Sequence, residues 1–113
     1  MSGLSTHVLD TATGRPAAGV PVLLERRQEG GWRQLSRSTT DADGRVRSLL
    51  PAGEPLAAGE HRLTFALAEW FAAQGRETFY PEASIVFTVA RPAEHHHVPL
   101  LLAPFGYSTY RGS

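Results

Sequence analysis

The sequence predicts an all-β fold: a two-sheet sandwich of about eight short strands with one short helix. Three observations favour it. Segments of alternating apolar and polar residues recur at intervals of about 8–12 residues, as in sandwiches. The 11 glycines and 8 prolines are spread along the 113 residues, where they separate short elements. The length suits one domain, residues 1–113, with one modest core.

The first half of the chain divides into four predicted strands, at residues 4–9, 20–26, 32–39 and 45–49. In the second of these, Val20, Val22 and Leu24 fall on one face, because strand side chains alternate. Residues 41–44 (DADG) predict a hairpin turn. They resemble the start of a calcium loop, but arginines follow in place of the required later glutamate.

The second half predicts strands at residues 60–68, 84–89, 95–102 and 107–111. Between the first two of these, residues 68–74 are rich in helix formers and stop at Gly75, which predicts a short helix with a C-terminal glycine. The last strand carries aromatic residues to the chain end, so we expect it to pair in a sheet rather than to fray.

Composition excludes several functions. Eleven basic and 11 acidic residues give a formal net charge of +0, which argues against nucleic-acid binding and against a polybasic membrane anchor. The absence of cysteine excludes disulfides, thiolate zinc sites and cysteine nucleophiles. The start of the chain has no basic, apolar leader pattern, and the longest apolar run, residues 98–105, contains two prolines. A cytoplasmic location is therefore expected.

The five histidines are the main candidates for chemistry. On a strand, His95 and His97 share one face and His96 points to the other. Three interpretations stay open for this run: a solvated strand end, an acid–base role, or a metal site that lacks an evident third ligand. His7 lies mid-strand, where a hydrogen-bonded structural role competes with catalysis, and His61 is expected to be solvated.

Four segments together resemble the 5-hydroxyisourate hydrolases, the transthyretin-like enzymes of urate breakdown. They are residues 4–10 (LSTHVLD) with 13–17 (TGRPA), 43–45 (DGR), 95–104 (HHHVPLLLAP) and 107–113 (YSTYRGS). The ending is the most specific of the four, because the hormone carrier transthyretin lacks it. His96 stands where the family often has tyrosine, and Ala103 where it often has serine.

The resemblance implies a transthyretin-like β-sandwich assembled as a homotetramer. In this dimer of dimers, the active sites lie in the channel between dimers. It implies metal-independent, cofactor-free hydrolysis of 5-hydroxyisourate to the ureido-imidazoline carboxylate OHCU. Carried over by position, the catalytic residues are His7, Arg45, His97 and Ser113, and the substrate-binding residues are His7, Arg45, Tyr110, Arg111 and Gly112.

Which of the two catalytic histidines is the general base stays open. Two alternatives to the hydrolase also remain. One is a small-ligand carrier without catalysis, which would favour an apolar channel over acid–base groups. The other is a metal-binding sandwich that uses His95 and His97.

Overall fold

A computed structural model describes residues 3–113 as two β-sheets packed across one hydrophobic core. The predicted fold class is confirmed, with nine strands and one short helix in this range. In chain order the elements are β1 (Gly3–Asp10), β2 (Arg15–Pro16), β3 (Pro21–Gln28), β4 (Gly31–Thr39), β5 (Arg45–Val46), β6 (Gly59–Ala66), α1 (Ala68–Ala72), β7 (Glu82–Val89), β8 (His95–Ala103) and β9 (Gly106–Thr109). Over the same range, no helix has the length and apolarity needed to cross a membrane.

The first sheet joins segments from both ends of the chain. Its strand order is β2-β1-β8-β9, and β5 also pairs with β1. Strands β1 and β8 run parallel, with Ser5 opposite His97, and the antiparallel pairing of β5 sets Arg45 opposite His7. The second sheet has the order β4-β3-β6-β7 and is antiparallel throughout. The first sheet therefore gathers most of the residues that the sequence marked for chemistry.

Strand alternation separates the core from the outer face of the first sheet. Leu4 and Val8 of β1 and Leu100 of β8 are fully buried and pack with Leu63 and Phe65 of the second sheet. The odd-numbered residues of β1 and β8 face outward, because successive side chains point to opposite faces. The outward positions can therefore carry polar side chains without disturbing the core.

Three strands and the helix end earlier than the sequence predicts, and one of these strands is β6, which ends at Ala66 rather than at residue 68. Strand β5 ends at Val46 and α1 at Ala72, with Gly75 in a left-handed conformation after the helix. Strand β9 stops at Thr109, and a single bridge at Gly112 resumes its register. Pro99 supplies no N–H to the tail, and its carbonyl accepts the Thr109 hydroxyl at 2.7 Å, so the ladder is interrupted there.

The prediction that His61 is solvated is wrong, because its side chain is only 1% exposed. It lies on the same face of β6 as Leu63, so strand alternation carries it into the core. Its Nδ1–H donates to the Gly59 carbonyl at 3.1 Å, and its ring stacks on Phe87 with centroids 5.8 Å apart. Burial lowers the pKa of His61 below its usual 6.5.

Candidate active site

A polar cavity of about 270 Å³ opens on the outer face of the first sheet. It brings together two hydroxyl residues of β1, arginines in and just after β5, two histidines of β8 and the C-terminal serine, so both ends of the sequence contribute. The lining residues are Ser5, Thr6, Arg45, Arg47, His95, His97 and Ser113. Such a concentration of donors and titratable groups is typical of a site for a polar substrate.

Ser5 lies at the centre of the hydrogen bonding in this cavity. Its Oγ is 2.8 Å from His95 Nε2 and 2.8 Å from His97 Nδ1. Ser5 is buried, whereas His97 is half-buried and His95 is exposed. The serine thus fixes both imidazole rings, and it leaves Nε2 of His97 free of this contact.

The surroundings of His97 favour its neutral form. Burial is the largest cause that lowers its pKa below 6.5, followed by the positive charges of Arg45, His7 and His95. A neutral imidazole can accept a proton, so at neutral pH His97 is available as a general base.

The C-terminal tail packs directly on His97. The Gly112 N–H donates to the His97 carbonyl at 2.8 Å. A Cβ added at Gly112 would lie 2.5 Å from His97 Cδ2, so only glycine allows this approach. Arg111 donates to Glu94 Oε1 at 3.1 Å and lies 3.4 Å from the His95 carbonyl. These contacts seat the tail so that Ser113 lines the cavity.

Four of the expected site residues do not line this cavity within the single chain: His7, Tyr110, Arg111 and Gly112. His7 is half-buried on the same face of the sheet and opposite Arg45, but it does not line the cavity. Tyr110 is 57% exposed and lines a different, mainly apolar cavity of about 200 Å³, between β7 and the tail. The fold thus collects Arg45, His97 and Ser113 directly, and it leaves Tyr110 on another surface.

Two other possible sites have weaker chemistry. Among residues 3–113, no group of three or more His, Asp or Glu side chains is placed to hold a metal ion, and the rings of His95 and His97 both contact Ser5. A cavity of about 360 Å³ on the second sheet has Arg37 as the sole titratable residue in its lining. Within the described residues, the first arrangement thus lacks the ligands of a metal site, and the second lacks an acid–base pair.

Comparison with known proteins agrees with the motifs of the sequence. Residues 4–112 match the model of the HIUase/Transthyretin family. The chain belongs to this family.

Several members of the HIUase/Transthyretin family are similar over nearly the whole chain. The 5-hydroxyisourate hydrolase of Caulobacter vibrioides is 50% identical over 117 residues, covering 100% of both chains. The structure of Klebsiella pneumoniae 5-hydroxyisourate hydrolase is 45% identical, has a TM-score of 0.85, and covers 100% of this chain and 94% of its own. Sea bream transthyretin, solved in complex with thyroxine, has a TM-score of 0.87 at 32% identity, covering 97% and 94%.

The HIUase/Transthyretin fold thus occurs in proteins with different names, so the fold alone does not fix the chemistry of a site. The motifs singled out His7, Arg45 and His97, but gave Ser5 no role. The available signal for Ser5 was its place on the same strand face as His7, two residues away. Its contact with two histidines depends on the parallel pairing of β1 with β8, which no local pattern reveals.

Proposed function

We propose that this chain is a 5-hydroxyisourate hydrolase, which opens the six-membered ring of its substrate to give OHCU in urate degradation. The observation that carries the proposal is the outer-face cavity, in which a half-buried His97 lies with Arg45 and Ser113. The names of relatives at 45–50% identity support the same substrate.

Ring opening requires water to attack a ring carbonyl and the adjacent C–N bond to break. His97 takes a proton from the attacking water, and His7, on the same sheet face, takes part in the proton transfer. His97 returns that proton to the departing nitrogen as the bond breaks. The water oxygen remains on the carbon, which becomes the carboxylate of the product. The lowered pKa of His97 suits this role, because the neutral ring predominates before the attack.

Arg45 and the tail bind the substrate in this proposal. A guanidinium presents several donors in a fixed plane, so Arg45 can stabilise the negative charge that develops on the carbonyl oxygen. Ser113 aligns the water from the cavity wall, and Arg111 and Gly112 hold the tail beside His97. Tyr110 lies on another surface of the same chain, so it would bind the substrate from a neighbouring subunit of the proposed tetramer.

We also propose that the chain acts as a homotetramer, a dimer of dimers with its sites in the channel between the dimers. The position of the cavity supports this, because it opens on an outer sheet face that a second dimer can cover. Sedimentation should then give about four times the 12.3 kDa chain mass, and dilution below the assembly range should reduce activity in parallel. A fully active monomer would contradict this architecture.

The direct test generates 5-hydroxyisourate with urate oxidase and follows its ultraviolet decay with and without the protein. We expect His7→Asn and His97→Asn each to lower the rate about 10²–10⁴-fold, the usual scale for acid–base groups. Arg37→Gln, in the cavity of the second sheet, is the control and should retain full activity. If the wild-type protein does not accelerate the spontaneous decay, the hydrolase proposal is wrong. Retention of a bound small ligand without turnover would favour a carrier.

Deleting residues 110–113 tests the role of the tail. The deletion removes the Gly112 hydrogen bond to His97 and takes Ser113 out of the cavity, while the strands of both sheets remain. We expect most activity to be lost and the circular dichroism spectrum of the sandwich to be kept. A folded, tetrameric and fully active truncated protein would show that the tail carries no chemistry.

A further inference from the structure

We propose that Ser5 and His95 form a proton relay that moves the positive charge of His97 to the protein surface and back during each turnover. The relay is the chain of contacts His97 Nδ1, Ser5 Oγ and His95 Nε2, with both distances 2.8 Å. This inference rests on the proposed hydrolase function and adds two positioning residues to it.

The chemistry of one hydroxyl makes the two histidines interdependent. Ser5 has a single O–H to donate, and each neutral imidazole has one N–H. Either His97 Nδ1–H donates to Ser5 while Ser5 donates to His95, or His95 Nε2–H donates to Ser5 while Ser5 donates to His97. The first arrangement leaves Nε2 of His97 unprotonated as a base, and the second puts the proton there. The nitrogen that carries the proton in one ring therefore determines which nitrogen carries it in the other.

The environments of the two rings give the relay a direction. His97 is half-buried and faces Arg45 and His7, whose positive charges oppose a further one on its ring. His95 is exposed, so water can solvate its charged form. Nearby, Arg111 is already paired with Glu94. A positive charge that is costly on His97 is thus less costly on His95, two hydrogen bonds away.

The backbone around His95 is fitted to hold this ring. A Cβ added at Gly3 would lie 2.9 Å from His95 Nδ1, so the ring lies against the bare Cα of Gly3 with its other nitrogen on Ser5. The parallel register places Gly3 opposite His95 and Ser5 opposite His97. Both rings therefore have fixed positions, which an incidental surface contact would not provide.

The steps balance. When His97 Nε2 takes a proton from water, its Nδ1 proton passes to Ser5 Oγ and the Ser5 hydroxyl proton passes to His95 Nε2. The positive charge then lies on His95, and His97 is neutral with its proton on Nε2. When that proton goes to the departing nitrogen, the two relay protons move back. Each residue ends the cycle as it began, and no co-reactant is needed.

Three variants test the relay. Ser5→Ala removes the connecting hydroxyl, His95→Asn removes the imidazole that accepts the proton, and Ser5→Thr keeps a hydroxyl. We expect the first two to lower kcat about 10–100-fold with little change in KM, and the third to keep most of the activity. The solvent deuterium isotope effect should change in both impaired variants. Ser84→Ala is the matched control, because it removes a serine hydroxyl that contacts Thr64 within the second sheet.

A second measurement separates the relay from the enzyme assay. In ¹⁵N-histidine-labelled wild-type protein, the titrations of His95 and His97 should be coupled, and in Ser5→Ala they should become independent. This result is expected even if another substrate is the true one. Independent titrations in the wild type, or wild-type kcat in both Ser5→Ala and His95→Asn, would overturn the relay. Loss of kcat in Ser5→Ala alone would overturn it too, because Ser5 would then only orient His97.

Discussion

The contact between the tail and His97 gives a sharp prediction for Gly112→Ala. The added Cβ would lie 2.5 Å from His97 Cδ2, whereas carbon atoms in contact are about 3.5–4.0 Å apart. The tail or the imidazole must therefore move by about 1 Å. A displacement of that size at a reacting group can cost about 10²-fold in rate. We expect kcat/KM to fall by about this factor.

Stability should change little in the same variant. The perturbation removes at most the 2.8 Å hydrogen bond from Gly112 to the His97 carbonyl, which is worth about 0.5–1.5 kcal/mol. The assay pairs ultraviolet decay of 5-hydroxyisourate with thermal unfolding. Gly106→Ala is the matched control, because a Cβ there meets nothing within 4 Å. Wild-type kcat/KM in Gly112→Ala would refute the argument that the tail positions His97.

Three further predictions concern charge and burial. In Arg45→Gln, the pKa of His97 should rise towards 6.5, because a nearby positive charge is removed. The acid limb of the pH profile of kcat/KM should therefore move to higher pH. Asp10→Asn should cost about 3 kcal/mol in urea unfolding, because it removes the carboxylate charge that pairs with Arg76 at 2.7 Å, at a site where the Asp10 side chain is only 4% exposed. His61→Phe should flatten the loss of thermal stability between pH 7.5 and 5. The lowered pKa of buried His61 contributes stability above 6.5 that is lost as pH falls, and unchanged pH dependence would contradict this.

Local patterns were sufficient for the class of the fold. The alternation of Leu63 and Phe65 on β6 marks an inner face, and the turn formers of residues 41–44 mark the end of a strand. Such signals depend only on the period of the side chains and on the turn residues, so they can be read without knowing what each segment packs against. The same period also placed His95 and His97 on one face.

Local patterns failed where the outcome depended on a distant partner. The polar neighbours of His61 suggested solvent, but the sandwich closes over its face of β6. The alternation of residues 107–111 suggested an unbroken strand, but Pro99 on the facing strand has no N–H to continue the ladder.

The candidate site also combines features that the sequence determined with features that depend on distant partners. The sequence by itself determined that this chain is a cysteine-free β-sandwich with the histidines, arginine and terminal motif of one family. Only the tertiary structure decided that Ser5 joins His95 to His97 and that Gly112 packs on the His97 ring. The physical reason is separation along the chain. The Ser5 contacts cross about 90 residues and depend on the parallel register of β1 and β8, which no local preference of the backbone specifies. The Gly112 contact depends on the antiparallel return of the tail along β8.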